Sequence, residues 1–300
     1  MPSNKAFTLL ELLVVITIIG ILSSVVIVSM SGSTDSATIA KGKAYAQQVH
    51  ALLGANAVGV WNFDEGTDNT CSATEDICDY SGYGNHGTIN KGTNGTGVDW
   101  VDSDIEGLAL QFDGVDDRVG CGNKTSLNVA SGDMTIESWV NLSALGRAST
   151  IISKWTPWIL YIASNNKVTF YVRYDGTDHN VTSGTALTSI DRWYHLVTVY
   201  TVSDYKVRFY IDGILTASPS FGNAISSDTA SSVQIGAYSS TYAPFSGLID
   251  EVRIYAEALP STETQKHYVQ GLNKLLTNNA ISEEEYTQRM DEFNQYLVSK

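Results

Sequence analysis

Charged positions vanish between Leu12 and Met30, where the chain reads LLVVITIIGILSSVVIVSM, nineteen mostly apolar residues. As a helix rising about 1.5 Å per residue, this run nearly spans a hydrocarbon core of about 30 Å. A polar break, SGSTDS (31–36), follows, and then a stretch of helical composition, 37–53, with Ile39, Tyr45, Val49, Leu52 and Leu53 as candidates for one face. From about Val58 to Ala258 the texture changes to short runs rich in Val, Ile, Tyr, Phe and Thr, separated by Gly, Asn, Asp and Ser. The runs are LALQF (108–112), MTIESWVNL (134–142), WILYIA (158–163), KVTFYVRY (167–174), WYHLVTVYT (193–201), YKVRFYI (205–211), SVQIGAY (232–238) and LIDEVRIY (248–255). KVTFYVRY and YKVRFYI alternate with period two, the signature of an antiparallel sheet with one face buried. Asp212-Gly213 predicts a type I′ hairpin, because both central residues of that turn need positive φ. Eight or more such strands predict a mainly β, two-sheet antiparallel jelly roll. Beyond Pro260 the period returns to that of a helix, with Tyr268, Leu272, Leu275 and Leu276. Asn278-Asn279 interrupts it; Ser282 with Glu285 forms a capping box, and Tyr286, Met290, Phe293 and Leu297 follow on one stripe. A C-terminal helical hairpin is expected.

Charge narrows the possible partners. With 32 acidic against 18 basic residues the formal charge is −14, which repels nucleic acid. At 43% hydrophobic and 17% charged the chain is too apolar for disorder. Neither CxxC nor a His/Cys cluster of zinc spacing occurs among the three cysteines. Cys71 and Cys78, in CSATEDIC, would close a small disulfide loop in an exported protein and remain idle thiols in a reducing compartment. Lys5 is the single charge of the stub MPSNKA (1–6), so the positive-inside bias keeps the N-terminus cytoplasmic and sends the remainder outward. Glu11 borders the run, and a carboxylate near hydrocarbon requires a partner.

Residues Lys5-Ala6-Phe7-Thr8-Leu9-Leu10-Glu11-Leu12-Leu13-Val14 resemble the processing site of the type IV pilin and pseudopilin family: a short basic leader, a small residue, Phe, and Glu at the fifth mature position. The resemblance implies cleavage between Ala6 and Phe7 by a prepilin peptidase, N-methylation of Phe7 and retention of the apolar helix. The amine freed at Phe7 would pair with Glu11 of a neighbouring subunit, offsetting both charges and setting register. Ala6 stands where the family usually has Gly, and Val28 where major pilins carry a helix-bending Pro; the latter leans toward a minor pilin or pseudopilin. A secretory signal peptide cut near Ser29 to Ser33 and a plain signal anchor are the competing readings.

WNFDEG (61–66), DYSGYGNHGT (79–88), LQFDGVDDRV (110–119), TIESWVN (135–141), WYHLVTVY (193–200), FYIDG (209–213) and GLIDEVRIYAEAL (247–259) resemble the concanavalin A-like, laminin G-like (LamG) domains of bacterial surface proteins. The expected organisation is a leader at 1–6, a pilin-like transmembrane and stalk helix at 7–57, the jelly roll at 58–259 and the helical hairpin at 260–300.

Glycosidases with this jelly roll need two carboxylates across the sugar, commonly alternating along one strand as E-x-D-x-x-E. No such run exists: Glu137 stands alone in TIESWVN, and the adjacent Asp250 and Glu251 would point to opposite faces of a strand. The histidines at 50, 86, 179, 195 and 267 accompany no nucleophile motif, and the expectation is a protein that is not an enzyme. In LamG-like relatives the D-x-S-G-x-G-N-x-G loop and the acid of the final strand often hold calcium. The resemblance maps these to Asp79, Asn85 and Asp250, with Asp113 as a further candidate, so calcium is the implied cofactor; Asx turns and a strand-end cap are the alternative roles. Trp155, Trp158, Tyr238 and Tyr242 lie in or beside apparent loops, where aromatic faces would stack on sugar rings or serve as core.

The sequence therefore reads as a single-pass protein of the inner membrane with its main domain outside, displayed on the cell surface or a filament. Its partners would be the prepilin peptidase, other pilin-like subunits of a pilus or type II secretion machinery, and a glycan or surface protein. An anchored or secreted carbohydrate-binding protein that never polymerises is the alternative, with a secreted glycosidase behind it.

Overall fold

The computed structural model describes residues 57–92, 97–155, 157–226, 229–239 and 242–300. The leader, Ala6, Phe7, Glu11, the apolar run and the stalk helix lie outside the described residues. Fifteen described strands, numbered in chain order, form two antiparallel sheets. One runs from edge to edge as β13 (Ile214–Ala217), β12 (Lys206–Ile211), β11 (Trp193–Thr201), β6 (Met134–Leu142), β15 (Ser246–Tyr255), β4 (Leu108–Asp113) and β3 (Asp99–Asp102), with β1 (Ala57–Trp61) paired to the later half of β15. The other runs as β10 (Thr177–Ala186), β9 (Lys167–Tyr174), β8 (Trp158–Ile162), β7 (Ser149–Lys154), β14 (Val233–Ile235), β5 (Arg118–Gly122) and β2 (Thr88–Asn90).

The core forms where the two inner faces meet. Alternation aims Ile136, Val140 and Leu142 of β6 at Leu160 of β8 and Phe170 and Val172 of β9, all in one apolar cluster with Trp61, Phe112 and Phe245. Each such side chain removed from water stabilises the fold by about 1.5–3 kcal/mol. The β12–β13 hairpin turns at Asp212 and Gly213, whose φ values of 51° and 72° are those a type I′ turn demands.

Two helices follow, α1 (Ser261–Thr277) and α2 (Glu283–Val298). Asn279, at φ 59°, makes the break between them, and the Ser282 hydroxyl accepts from the Glu285 amide at 3.1 Å to start α2. Tyr268, Leu272, Leu275 and Phe293 pack onto Trp139, Trp193 and Ala109, the outer face of the β1-containing sheet, making a second apolar cluster. The expected stripe on α2 stops short: Leu297 is exposed, while Arg289 is buried, donating to the Trp193 carbonyl at 3.2 Å and pairing with Glu285 at 2.6 Å. Among the described residues no helix is long and apolar enough to cross a membrane.

Candidate functional site

Among the described residues the hairpin covers the outer face of one sheet, and on the outer side of the other an aromatic group gathers over β7–β9. Inward Phe170 and Val172 fix Tyr171 outward, and inward Leu160 and Ile162 do the same for Tyr161. Tyr171 meets Trp155 in a parallel stack with centroids 6.3 Å apart, and Trp155 stacks on Tyr238 at 4.5 Å. Tyr242 stands edge-on to Tyr238 at 4.8 Å. Trp155 keeps 42% of its surface exposed and Tyr242 61%, values high enough for both to present ring area to a ligand. The polar margin comes from β10: Asp178 accepts from the Tyr171 hydroxyl at 2.6 Å and pairs with Arg173 at 3.3 Å, and Asn180 lies 3.4 Å from the Tyr161 hydroxyl. Burial, reinforced by Asp178, pushes the Tyr171 phenol up to about 12, and burial also raises Tyr161 and Tyr238. These hydroxyls therefore stay neutral donors and acceptors at physiological pH.

Three of the four aromatic residues singled out from the sequence thus share one face, and the fourth does not. Trp158 is fully buried on the inner side of β8 against Phe170, because strand alternation turns it into the core. Tyr161 and Tyr171 were missed, although the period-two pattern of KVTFYVRY already aimed Tyr171 away from the core.

The residues matched to calcium do not converge. Asp79 spends its oxygens on four donors: the amides of Val60, Ser81 and Asn85 and the Ser81 hydroxyl, at 2.7–2.9 Å. That fills the roughly four lone-pair sites of a carboxylate and leaves none for a cation. Asn85 donates to the Val58 carbonyl at 2.6 Å, and its own carbonyl accepts from the Trp61 indole at 2.8 Å. The loop from 79 to 85 is therefore a clasp on β1. Asp250 takes its partners elsewhere, from the Ser103 hydroxyl at 2.5 Å and the Glu251 amide at 2.6 Å. Nor do Asp250 and Glu251 face opposite ways: the β15 ladder shifts register between Asp250 and Arg253, Glu251 has φ 51°, and both side chains are buried. Glu251 is paired with Arg253. Asp113 lies apart from all of these and shares its turn with Asp116 and Asp117.

Burial raises the Asp64 carboxyl to about 7, with the charges of Glu251, Glu65 and Glu106 adding and the Leu108 amide opposing. Burial likewise raises Glu65 to about 7, opposed by the Cys78 amide. A carboxyl whose folded pKa is raised stabilises fully below its unfolded value near 4 and loses that contribution as pH climbs through the folded value. Stability is therefore expected to fall between pH 4 and 7, by at most about 1.4 kcal/mol per pH unit for each group. Urea unfolding across that window tests it, and Asp64→Asn should flatten the slope. The neighbouring Cys71 and Cys78 form a disulfide.

A second polar centre escaped the sequence reading. Glu137 is fully buried on the outer face of β6 beneath α1. Its carboxylate meets His195 Nε2 at 2.8 Å and His267 Nδ1 at 3.0 Å, accepts from the Tyr255 hydroxyl at 3.2 Å, and has Arg253 at 3.6 Å. Burial alone would raise this carboxyl, but His267, His195 and Arg253 together outweigh it and hold it well below the usual carboxylate range. Glu137, His195 and Tyr255 are all fully buried, so substrate has no access; the arrangement is a clamp joining hairpin to sheet. No local motif announces it, since His267 lies 130 residues from Glu137.

The structure resembles the binding domain of Paraclostridial Mosquitocidal Protein 1 (16% identity, TM-score 0.56, covering 73% of this chain and 53% of that one). It also resembles Domain 4 of AbnA, a GH43 extracellular arabinanase from Geobacillus stearothermophilus, solved in complex with arabinotriose (20% identity, TM-score 0.55, covering 70% of this chain and 97% of that one). A third match is the receptor binding domain of botulinum neurotoxin C/D mosaic serotype (13% identity, TM-score 0.53, covering 72% and 52%). The chain thus spans about half the length of the toxin domains. These neighbours share the fold; the two toxin structures are named as binding domains, and the arabinanase domain holds a bound sugar. No curated protein sequence matches the chain. Residues 1–27 match the prokaryotic N-terminal methylation motif. Residues 113–265, half of the chain, match the model of the concanavalin A-like lectin/glucanases superfamily, and the protein belongs to that family.

Proposed function

We propose that the protein is a pilin-like subunit that displays a glycan-binding jelly roll outside the cell. The observation that carries the binding half is the aromatic group Trp155, Tyr161, Tyr171, Tyr238 and Tyr242 on the sheet face that the hairpin leaves open. Flat rings bordered by neutral hydroxyls and an amide suit pyranose or furanose rings, which offer an apolar face and a rim of hydroxyls. A chain of formal charge −14 favours an uncharged glycan over an anionic one. The arabinotriose-bound neighbour supports a sugar ligand, and the toxin domains keep a surface protein as the alternative occupant. No hydrolysis is assigned to this face: its contacting carboxylate, Asp178, is engaged by Tyr171 and Arg173.

The methylation motif supports the display half. Cleavage after Ala6 would leave Phe7 as the new N-terminus, methylated there, and Glu11 would pair with that amine in a neighbouring subunit. The test is intact mass and N-terminal sequence of protein recovered from membranes of a host co-expressing a prepilin peptidase. A start at methylated Phe7 is expected, and Glu11→Ala should then reduce assembly into filaments while leaving processing intact. An intact Met1 would instead make the protein a plain anchored binder, and a start beyond Met30 a secreted one.

A further inference from the structure

The corner between β4 and β5 carries chemistry that the glycan face does not use. There the chain leaves one sheet and enters the other through Asp113-Gly114-Val115-Asp116-Asp117. One carboxylate oxygen from each of Asp113, Asp116 and Asp117 lies within 4.8 Å of the other two. Asp113 sits on the exposed rim, while Asp116 is 6% and Asp117 0% exposed. Asp117 Oδ2 accepts from the Asp113 amide at 2.9 Å, and its buried Oδ1, beside Gly97, has no hydrogen-bond partner. A buried carboxylate oxygen left without a donor is destabilising, which favours a group that would satisfy it.

The surroundings restrict what that is. A β-carbon on Gly97 would lie 2.3 Å from Asp117 Oδ1, and one on Gly92 would lie 1.8 Å from Asp116 Oδ1, so the backbone on that side closes tightly over both acids. Arg118 and Arg147 reach the same turn but donate to the carbonyls of Asp116 and Gly114, at 3.3 and 2.7 Å. The group contains no histidine or cysteine, so its donors are oxygen alone. That set suits a hard divalent cation, and an irregular turn suits calcium better than magnesium, which demands a near-ideal octahedron. The acids around Asp250 differ, since Ser103 and the Glu251 amide satisfy Asp250 and Arg253 balances Glu251.

We infer that Asp113, Asp116 and Asp117 bind a calcium ion that pins the corner between the two sheets. Consistent with this, burial and then the neighbouring Asp113 and Asp116 carboxylates raise Asp117 to about 6, a repulsion that a cation would relieve.

The test is calorimetric titration of the full-length chain, purified in detergent and stripped with a chelator, with calcium chloride alone. One equivalent should bind with Kd on the order of 10⁻⁴ to 10⁻³ M, the range of extracellular modules, and millimolar calcium should raise Tm by a few degrees. Asp117→Asn and Asp116→Asn should each weaken binding about tenfold or more, while Asp250→Asn binds as the parent does. Asp113→Asn, on the exposed rim, carries the same expectation if the Asp117 variant does not fold. Absence of calcium uptake by the folded parent overturns the inference, and so does uptake that survives Asp116→Asn and Asp113→Asn or is lost only in Asp250→Asn.

Discussion

Replacing Glu137 with alanine is expected to lower the unfolding free energy by about 3–5 kcal/mol, the cost of breaking a buried charged network by removing one partner. The substitution leaves His195 Nε2, His267 Nδ1 and the Tyr255 hydroxyl without their common acceptor, in places where water does not reach them. Because His267 belongs to α1, the loss should loosen the hairpin first. Urea titration followed by tryptophan fluorescence would register it, since Trp139 and Trp193 lie directly under the helices. The same group sets an acid limit. Its folded pKa lies below its unfolded value, so its contribution is complete above about pH 4.5 and is lost as pH falls through the folded value. Asp64 and Glu65 act in the opposite sense at higher pH, which places the stability maximum near pH 4 to 5. A Glu137→Ala chain as stable as the parent would show that the histidines find other partners and that the clamp is dispensable.

The second large effect is expected at the open face. Trp155→Ala should weaken binding of arabinotriose or a neutral polysaccharide about thirtyfold, corresponding to about 2 kcal/mol for a central aromatic contact. Its removal takes away exposed ring area and also the surface on which Tyr238 and Tyr171 stack. Tyr242→Phe should cost much less, because it preserves the ring. Trp158→Phe, a change confined to the core, should alter Tm without altering affinity for the folded protein. Titration of the three variants against the same glycan separates these outcomes. Equal affinity of Trp155→Ala and parent would remove the aromatic group from the binding surface and favour a protein ligand bound elsewhere.

The strands easiest to read were those with strong apolar content. MTIESWVNL, KVTFYVRY and WYHLVTVYT coincide residue for residue with β6, β9 and β11. The exposed β10, TDHNVTSGTA, was invisible because its stability comes from pairing with β9 and not from its own apolar content. β6 and β11 lack clean alternation for a physical reason: the hairpin covers their second face, so Glu137 and His195 are as buried as the residues of the core. The same covering hid the clamp, which only folding assembles from β6, β11, β15 and α1. Aromatic residues at this face are partly legible because Trp155 directly follows β7 and Tyr242 lies in the loop before β15; Trp158, three positions beyond Trp155, has the same chemistry and the opposite fate. The Asp250-Glu251 pair was misread because a bulge cancels the alternation on which the reading relied.

The clasp on β1 has a mechanical consequence. Tension transmitted along the chain from the residues before Ala57 enters the jelly roll through that strand, which among the described residues pairs with β15 alone. A ladder loaded from one end opens bond by bond unless side chains tie the strand across its length. Asp79 grips the Val60 amide, and Asn85 holds the Val58 carbonyl and accepts from the Trp61 indole, so these attachments share the load with the β15 ladder. Under traction the 79–85 loop would therefore determine the force at which the first strand peels away.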